Sequence, residues 1–99
     1  MAQFDVHEVR GGLALDCQSD RLSRLPTRFV IPLEPFTEAL NVDDWLNPVF
    51  DVRGRRMIMA TQLAGTIPAR ELGGWVASFR SDRDKMTIQQ ALDSLFAEA

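Results

Sequence analysis

The sequence predicts a mostly β (α+β) fold: a partly open antiparallel β barrel with one C-terminal helix. Three observations predict it. Short apolar runs, several of them alternating, recur through the first 79 residues, and Gly and Pro punctuate them at Gly11-Gly12, Pro26, Gly54 and Gly73-Gly74. Only residues 81–99 hold a helical period for several turns. The length of 99 residues sets a single domain, 1–99, with room for one small core. Five or more short strands followed by one helix make a compact barrel with a helical cap.

Residues 3–9 alternate, with Phe4 and Val6 on one side and Gln3, Asp5 and His7 on the other. That pattern predicts a strand with one wet face. Gly11-Gly12 then joins it to a second strand, 13–17, through a tight hairpin whose turn positions favour positive φ. Residues 18–27 are polar and contain Pro26, so they read as a loop. Residues 28–33 read as a buried strand. Its Pro32 belongs near an end or at an edge, because it cannot donate to a ladder. Residues 34–47 read as a long excursion, with a short helical turn at 37–40 or a small accessory hairpin. Residues 48–52 and 56–62 form paired strands around a turn at Arg53-Gly54-Arg55. A short strand follows Gly65, and residues 75–79 form a last strand or an extended link.

In the terminal segment, Ile88, Ala91, Leu92, Leu95, Phe96 and Ala99 line one helix face. Gln89, Gln90, Asp93, Ser94 and Glu98 fill the other. Ser81 or Asp82 caps the start, and Thr87-x-x-Gln90 offers a second capping box one to two turns later. One terminal helix cannot bury its apolar face alone, so it lies on the β structure or against a second copy.

Composition excludes several function classes. The net charge of −3 argues against a protein that holds nucleic acid through a basic surface, so no direct nucleic-acid partner is expected. No apolar run approaches the ~20 residues of a membrane span. The first eight residues lack the pattern of a signal peptide. The single cysteine, Cys17, suits a reducing cytoplasm.

No catalytic constellation stands out, and neither a metal nor a cofactor is expected. His7 lacks a second ligand at a useful spacing and reads as a surface histidine. Cys17 has no neighbouring base and reads as a core or edge residue. Trp45 and Trp75 read as core or dimer-face residues. Arg21, Arg24 and Arg28 read as a solvated loop, or as a landing site for an acidic segment. Arg53, Arg55 and Arg56 read as an exposed hairpin tip, or as an anion site.

Gln3-Phe4-x-Val6, Gln18-Ser19-Asp20, Val30-Ile31-Pro32-Leu33, Leu46-x-Pro48-Val49 and Ala91-Leu92-x-x-Leu95-Phe96 occur in one order over nearly the whole chain. No single motif is specific. The ordered set resembles the CcdB toxins of plasmid and chromosomal toxin–antitoxin pairs. The resemblance implies an SH3-like barrel sheet with a small β wing and a C-terminal helix, assembled as a homodimer. It implies binding to the A subunit of DNA gyrase, inhibition of that topoisomerase, and neutralisation by an antitoxin with a disordered C-terminal tail. It also implies a role in plasmid maintenance and no enzymatic activity. The barrel further resembles that of MazF-type toxins, which cut mRNA, so a ribonuclease is a rival reading.

The resemblance carries over a gyrase-binding set, with substitutions. The family usually ends in Phe-Trp-Gly-Ile, whose tryptophans flank an arginine of the target. Phe96 matches the Phe, and Ala97, Glu98 and Ala99 replace the rest. Arg21 and Leu22 stand where the family has two isoleucines, and Asp93 stands at an asparagine position. Loss of the tryptophan removes a cation–π contact of about 0.5–2 kcal/mol per protomer. An exposed ion pair from Glu98 returns at most ~1 kcal/mol.

Overall fold

The computed structural model describes residues 2–97. Strands β1 (Asp5–Val9) and β2 (Gly12–Asp16) form the first hairpin. Strand β3 (Thr27–Pro35) is the longest. Strands β4 (Val49–Val52) and β5 (Arg55–Met59) form a second hairpin, the wing. Two short strands, β6 (Gly65–Pro68) and β7 (Trp75–Ser78), precede helix α1 (Asp82–Phe96). The sheet order is β4-β5-β3-β2-β1-β7, with β6 also on β3, and the sheet curls into an SH3-like half-barrel.

Strand β3 sorts the barrel from the wing. One edge pairs with β2 over residues 30–33, from Asp16↔Val30 to Leu13↔Leu33. The other edge pairs with β6 over residues 27–30 and with β5 over residues 33–35. Pro32 lies in mid-strand, not at an end as expected from its missing N–H. Its carbonyl accepts from Ala60 N at 3.0 Å. A strand residue's N and O point to the same side, so the absent N–H faces the gap where β3 changes partners. The proline therefore breaks no ladder bond.

The core is built from the inward residues Val6, Leu15, Ile31, Leu33 and Met59, closed by Ile88 and Ala91 of α1. Phe50 of β4 stacks on Phe79 with ring centroids 4.5 Å apart, which ties the wing to the segment entering the helix. Burial of each large side chain is worth ~1.5–3 kcal/mol. Ser81 caps α1 by accepting from Asp84 N at 3.0 Å, and Asp82 and Asp84 load the first turn with negative charge. Thr87 lies inside the helix, where its hydroxyl donates to Arg83 O. The second capping box is not used.

Several expectations need correction. The first strand begins at Asp5, because Phe4 takes φ 68° and is pinned on both sides: its N–H donates to Asp16 O, and its carbonyl accepts from Phe79 N. Asp5 and His7, expected to be wet, are buried, because the chain around β7 reaches their side chains: Ser78 and Arg80 bond Asp5, and Gly73 O bonds His7. The first hairpin turns on Arg10-Gly11, with Gly11 alone at positive φ, while Gly12 already pairs with Val9. The wing turn is Arg53-Gly54, both at positive φ, and Asp51 accepts from Gly54 N at 2.7 Å. Arg55 is already in β5. Residues 61–63 form a 3-10 turn instead of continuing the strand, and among the described residues 36–48 hold one such turn, Glu38–Leu40, and no hairpin.

Candidate functional site

The apolar stripe of α1 buries only its first half. Ile88 and Ala91 are fully buried, Leu92 and Leu95 are half-buried, and Phe96 is 76% exposed. Ala97 is exposed and ends the helix in extended conformation. Asp93 is exposed and accepts from Gln89 Nε2 at 3.1 Å. Glu98 and Ala99 lie outside the described residues.

Arg21 and Leu22 sit elsewhere, in the 3-10 turn Asp20–Leu22 after β2. Ser19 Oγ accepts from Arg21 N, and Gln18 Nε2 donates to Leu22 O at 2.9 Å. Both residues are exposed, so the turn presents one cation and one apolar side chain. Arg28, expected in a solvated loop, is buried. Its Nε and Nη2 donate to Asp16 Oδ2 at 3.0 and 2.6 Å. The reason is the β2/β3 pairing: Asp16 lies opposite Val30, and alternation along β3 turns Arg28 onto the same face as Asp16.

The end of α1 does not stand alone. A cleft of about 330 Å³ separates it from the loop before β4, and Asp43, Trp45, Leu46, Ser94 and Ala97 line it. Trp45 is 63% exposed, not a core residue. Its loop is nevertheless fixed. Asp43 Oδ1 accepts from Trp45 N and Leu46 N at 2.9 and 3.1 Å. Buried Asn47 accepts from Val42 N and donates through Nδ2 to Met59 O and Gln62 Oε1. Thr61 Oγ1 donates to Leu46 O. The sequence reading missed Trp45 as a site residue. The signal was present: Asp43-Asp44-Trp45 sets an aromatic inside a polar turn, without the apolar alternation that buries one.

Several other polar groups bond within the fold, while, among the described residues, His7 Nε2 and Asn41 Oδ1 are buried without a partner. His7 is buried, and its Nδ1 donates to Gly73 O at 3.0 Å. Gly73 is needed there, because a Cβ would stand 3.0 Å from Glu8 O. At the β1/β7 edge, Asp5 Oδ1 accepts from the Ser78 hydroxyl and from Arg80 Nη2, and Ser78 Oγ accepts from Trp75 Nε1. Burial alone would raise the Asp5 pKa, but the Ser78 hydrogen bond, the Arg80 charge and the Ala2 and Trp75 donors together hold it below the usual value. Trp75 is thus an exposed edge residue, not core. Burial, with the charge of Asp16, pushes the Cys17 thiol up to about 12. Among the described residues no group of His, Cys, Asp and Glu is placed to hold a metal, and no helix is long and apolar enough to cross a membrane.

The fold has known counterparts. The Mycobacterium tuberculosis toxin MazF-mt6 superposes with a TM-score of 0.77 at 14% identity, over 93% of this chain and 95% of that one. A second structure, described as an Mtb toxin, gives a TM-score of 0.77 at 14% identity, over 92% of this chain and 99% of the other. At that identity the likeness speaks for the fold. No curated protein matches the sequence. The family model of the CcdB protein matches residues 3–97, which include the exposed end of α1 and the Arg21–Leu22 turn. With nearly its whole length matched, the chain belongs to the CcdB family, a family of toxins from toxin–antitoxin systems.

Proposed function

We propose that this protein is the toxin of a type II toxin–antitoxin pair and that it acts in the cytoplasm as a homodimer on the A subunit of DNA gyrase. An antitoxin with a disordered C-terminal tail neutralises it. The observation that carries this reading is the exposed end of α1, where Phe96 stands unpacked in a chain matched by the CcdB family over residues 3–97. A large aromatic left bare at a helix terminus suits a contact surface, since interface energy concentrates in such residues. On this reading the protein binds and performs no chemistry of its own. Cys17, His7 and Asp16 are each buried, which supports that view. The Ala97-Glu98-Ala99 ending and Arg21 weaken the contact relative to a Phe-Trp-Gly-Ile ending with two isoleucines.

The test is gyrase supercoiling with the purified protein, with and without antitoxin. Inhibition that antitoxin reverses supports the proposal. Pairing with antitoxin but no inhibition at any concentration would leave a CcdB-like binding module that no longer poisons gyrase. A ribonuclease is the second reading, favoured by the MazF-like fold. Cleavage of RNA by the purified protein, abolished by antitoxin, would establish it in place of the first.

A further inference from the structure

We propose that the tip of the wing, at Arg53, Arg55 and Arg56, is a docking surface for an extended acidic segment of a protein partner. None of these residues belongs to the carried-over gyrase set, and the proposal stands whether or not gyrase is the target.

Three observations carry it. The first is charge. Arg53, Arg55 and Arg56, three of the chain's 11 basic residues, fall together in a chain whose net charge is −3. All three are exposed, and none has an ion-pair partner among the described residues, where the ion pairs are Arg28–Asp16 and Arg80–Asp5. The second is the backbone. Arg53 holds φ 53° beside Gly54 at 82°. A two-residue hairpin turn with positive φ at both positions favours Asn, Asp or Gly at the first. An arginine there strains the turn, and such strain clusters at sites of function. The third is preorganisation. The Arg56 guanidinium lies 4.3 Å from the centroid of the Phe36 ring, and Phe36 N donates to Arg56 O at 3.1 Å. Stacking holds this side chain in place beforehand, which lowers the freedom lost on binding.

Register decides the kind of partner. Directly opposite residues share a face of a hairpin. Arg55 therefore leaves on the Val52 side and Arg56 on the Asp51 side, with Arg53 at the apex. Cations on both faces suit a chain that crosses the tip, not one small anion. The face of Arg56 also carries exposed Val49 and Asp51 and half-buried Phe36. Apolar groups beside the cations suit a peptide that sets apolar side chains between its carboxylates. Asp51 opposes the regular row of phosphates in a nucleic acid, as does the acidic net charge. Guanidinium groups meet carboxylates through paired N–H donors.

The test uses the full chain labelled with 15N. The probe is the peptide acetyl-Asp-Glu-Leu-Glu-Asp-amide, with acetyl-Asn-Gln-Leu-Gln-Asn-amide as the uncharged control. The amide signals of residues 53–56 move saturably with the acidic peptide, and the control binds ~10-fold or more weakly. Arg53→Gln with Arg55→Gln lowers the affinity ~10-fold. Arg10→Gln with Arg70→Gln removes the same charge from exposed positions outside the wing and changes the affinity less than ~2-fold. Arg53→Asn separates binding from structure. Asparagine suits the positive φ, so the urea midpoint rises while the affinity falls. If the wing signals stay still, or follow both peptides equally, or if the Arg10 and Arg70 changes weaken binding as much as the wing changes, the wing is not a docking surface. An oligouridylate of the same charge that binds more tightly than the acidic peptide overturns the proposal in favour of a phosphate-binding wing.

Discussion

Asp16 and Arg28 show how much one residue commits the fold to. Both side chains are almost completely buried, and two guanidinium N–H groups converge on one carboxylate oxygen. Removing one partner strands a buried charge, at a cost of about 3–5 kcal/mol. Arg28→Met is therefore expected to lower the urea midpoint sharply, while the double change Asp16→Leu with Arg28→Met loses less, because no charge is stranded. Urea unfolding of the three proteins measures both. Cys17, beside this pair, is expected to resist alkylation. With its thiol pushed up to about 12, almost no thiolate forms at pH 8 in the folded state. Iodoacetamide labelling of native protein should be far slower than in urea, and equal rates would contradict its burial. Asp5 gives the pH dependence. Its folded pKa is lowered below 3.8, so it contributes stability above that pH and loses it as pH falls through the folded value. Asp5→Asn should flatten the acid side of a stability–pH curve below about pH 4.

At the scale of elements, what was legible followed period and punctuation. The helix and the Gly-marked hairpins came from local pattern, and the structure has them. What was not legible depended on partners distant in sequence. Asp5 and His7 look like a wet face until β7 arrives some 70 residues later to cover them. Arg28 looks like a loop cation until Asp16 is placed across from it. Pro32 looks terminal until β3 is seen to change partners beside it. Trp45 reads as a core or dimer-face residue, and only the fold brings it beside Ala97. The end of α1 supports a prediction of its own. Replacing Ala97-Glu98-Ala99 with Trp-Gly-Ile would add an aromatic beside exposed Phe96, and such hot spots are commonly worth ~2 kcal/mol. Calorimetry against the gyrase A subunit should show tighter binding, and Arg21→Ile should add to it. If neither change helps, the carried-over contact set does not serve this protein.

The whole molecule leaves several large apolar side chains bare. Met86, Trp75, Leu63, Leu22 and Phe96 are each about half exposed or more, in a chain of only 99 residues. A single small core leaves stability modest, and a second copy would cover apolar groups at about 25 cal/mol per Å² removed from water. A homodimer with the C-terminal helices near its two-fold axis is therefore expected, because the half-buried Leu92 and Leu95 extend the buried stripe toward exposed Phe96. Light scattering at micromolar concentration should give about twice 11.1 kDa. Leu95→Glu should shift the mass toward the monomer while circular dichroism stays unchanged, since that position is only half-buried in the single chain. A monomeric mass for the unaltered protein would sink the dimer. It would leave the exposed apolar side chains to antitoxin and target alone.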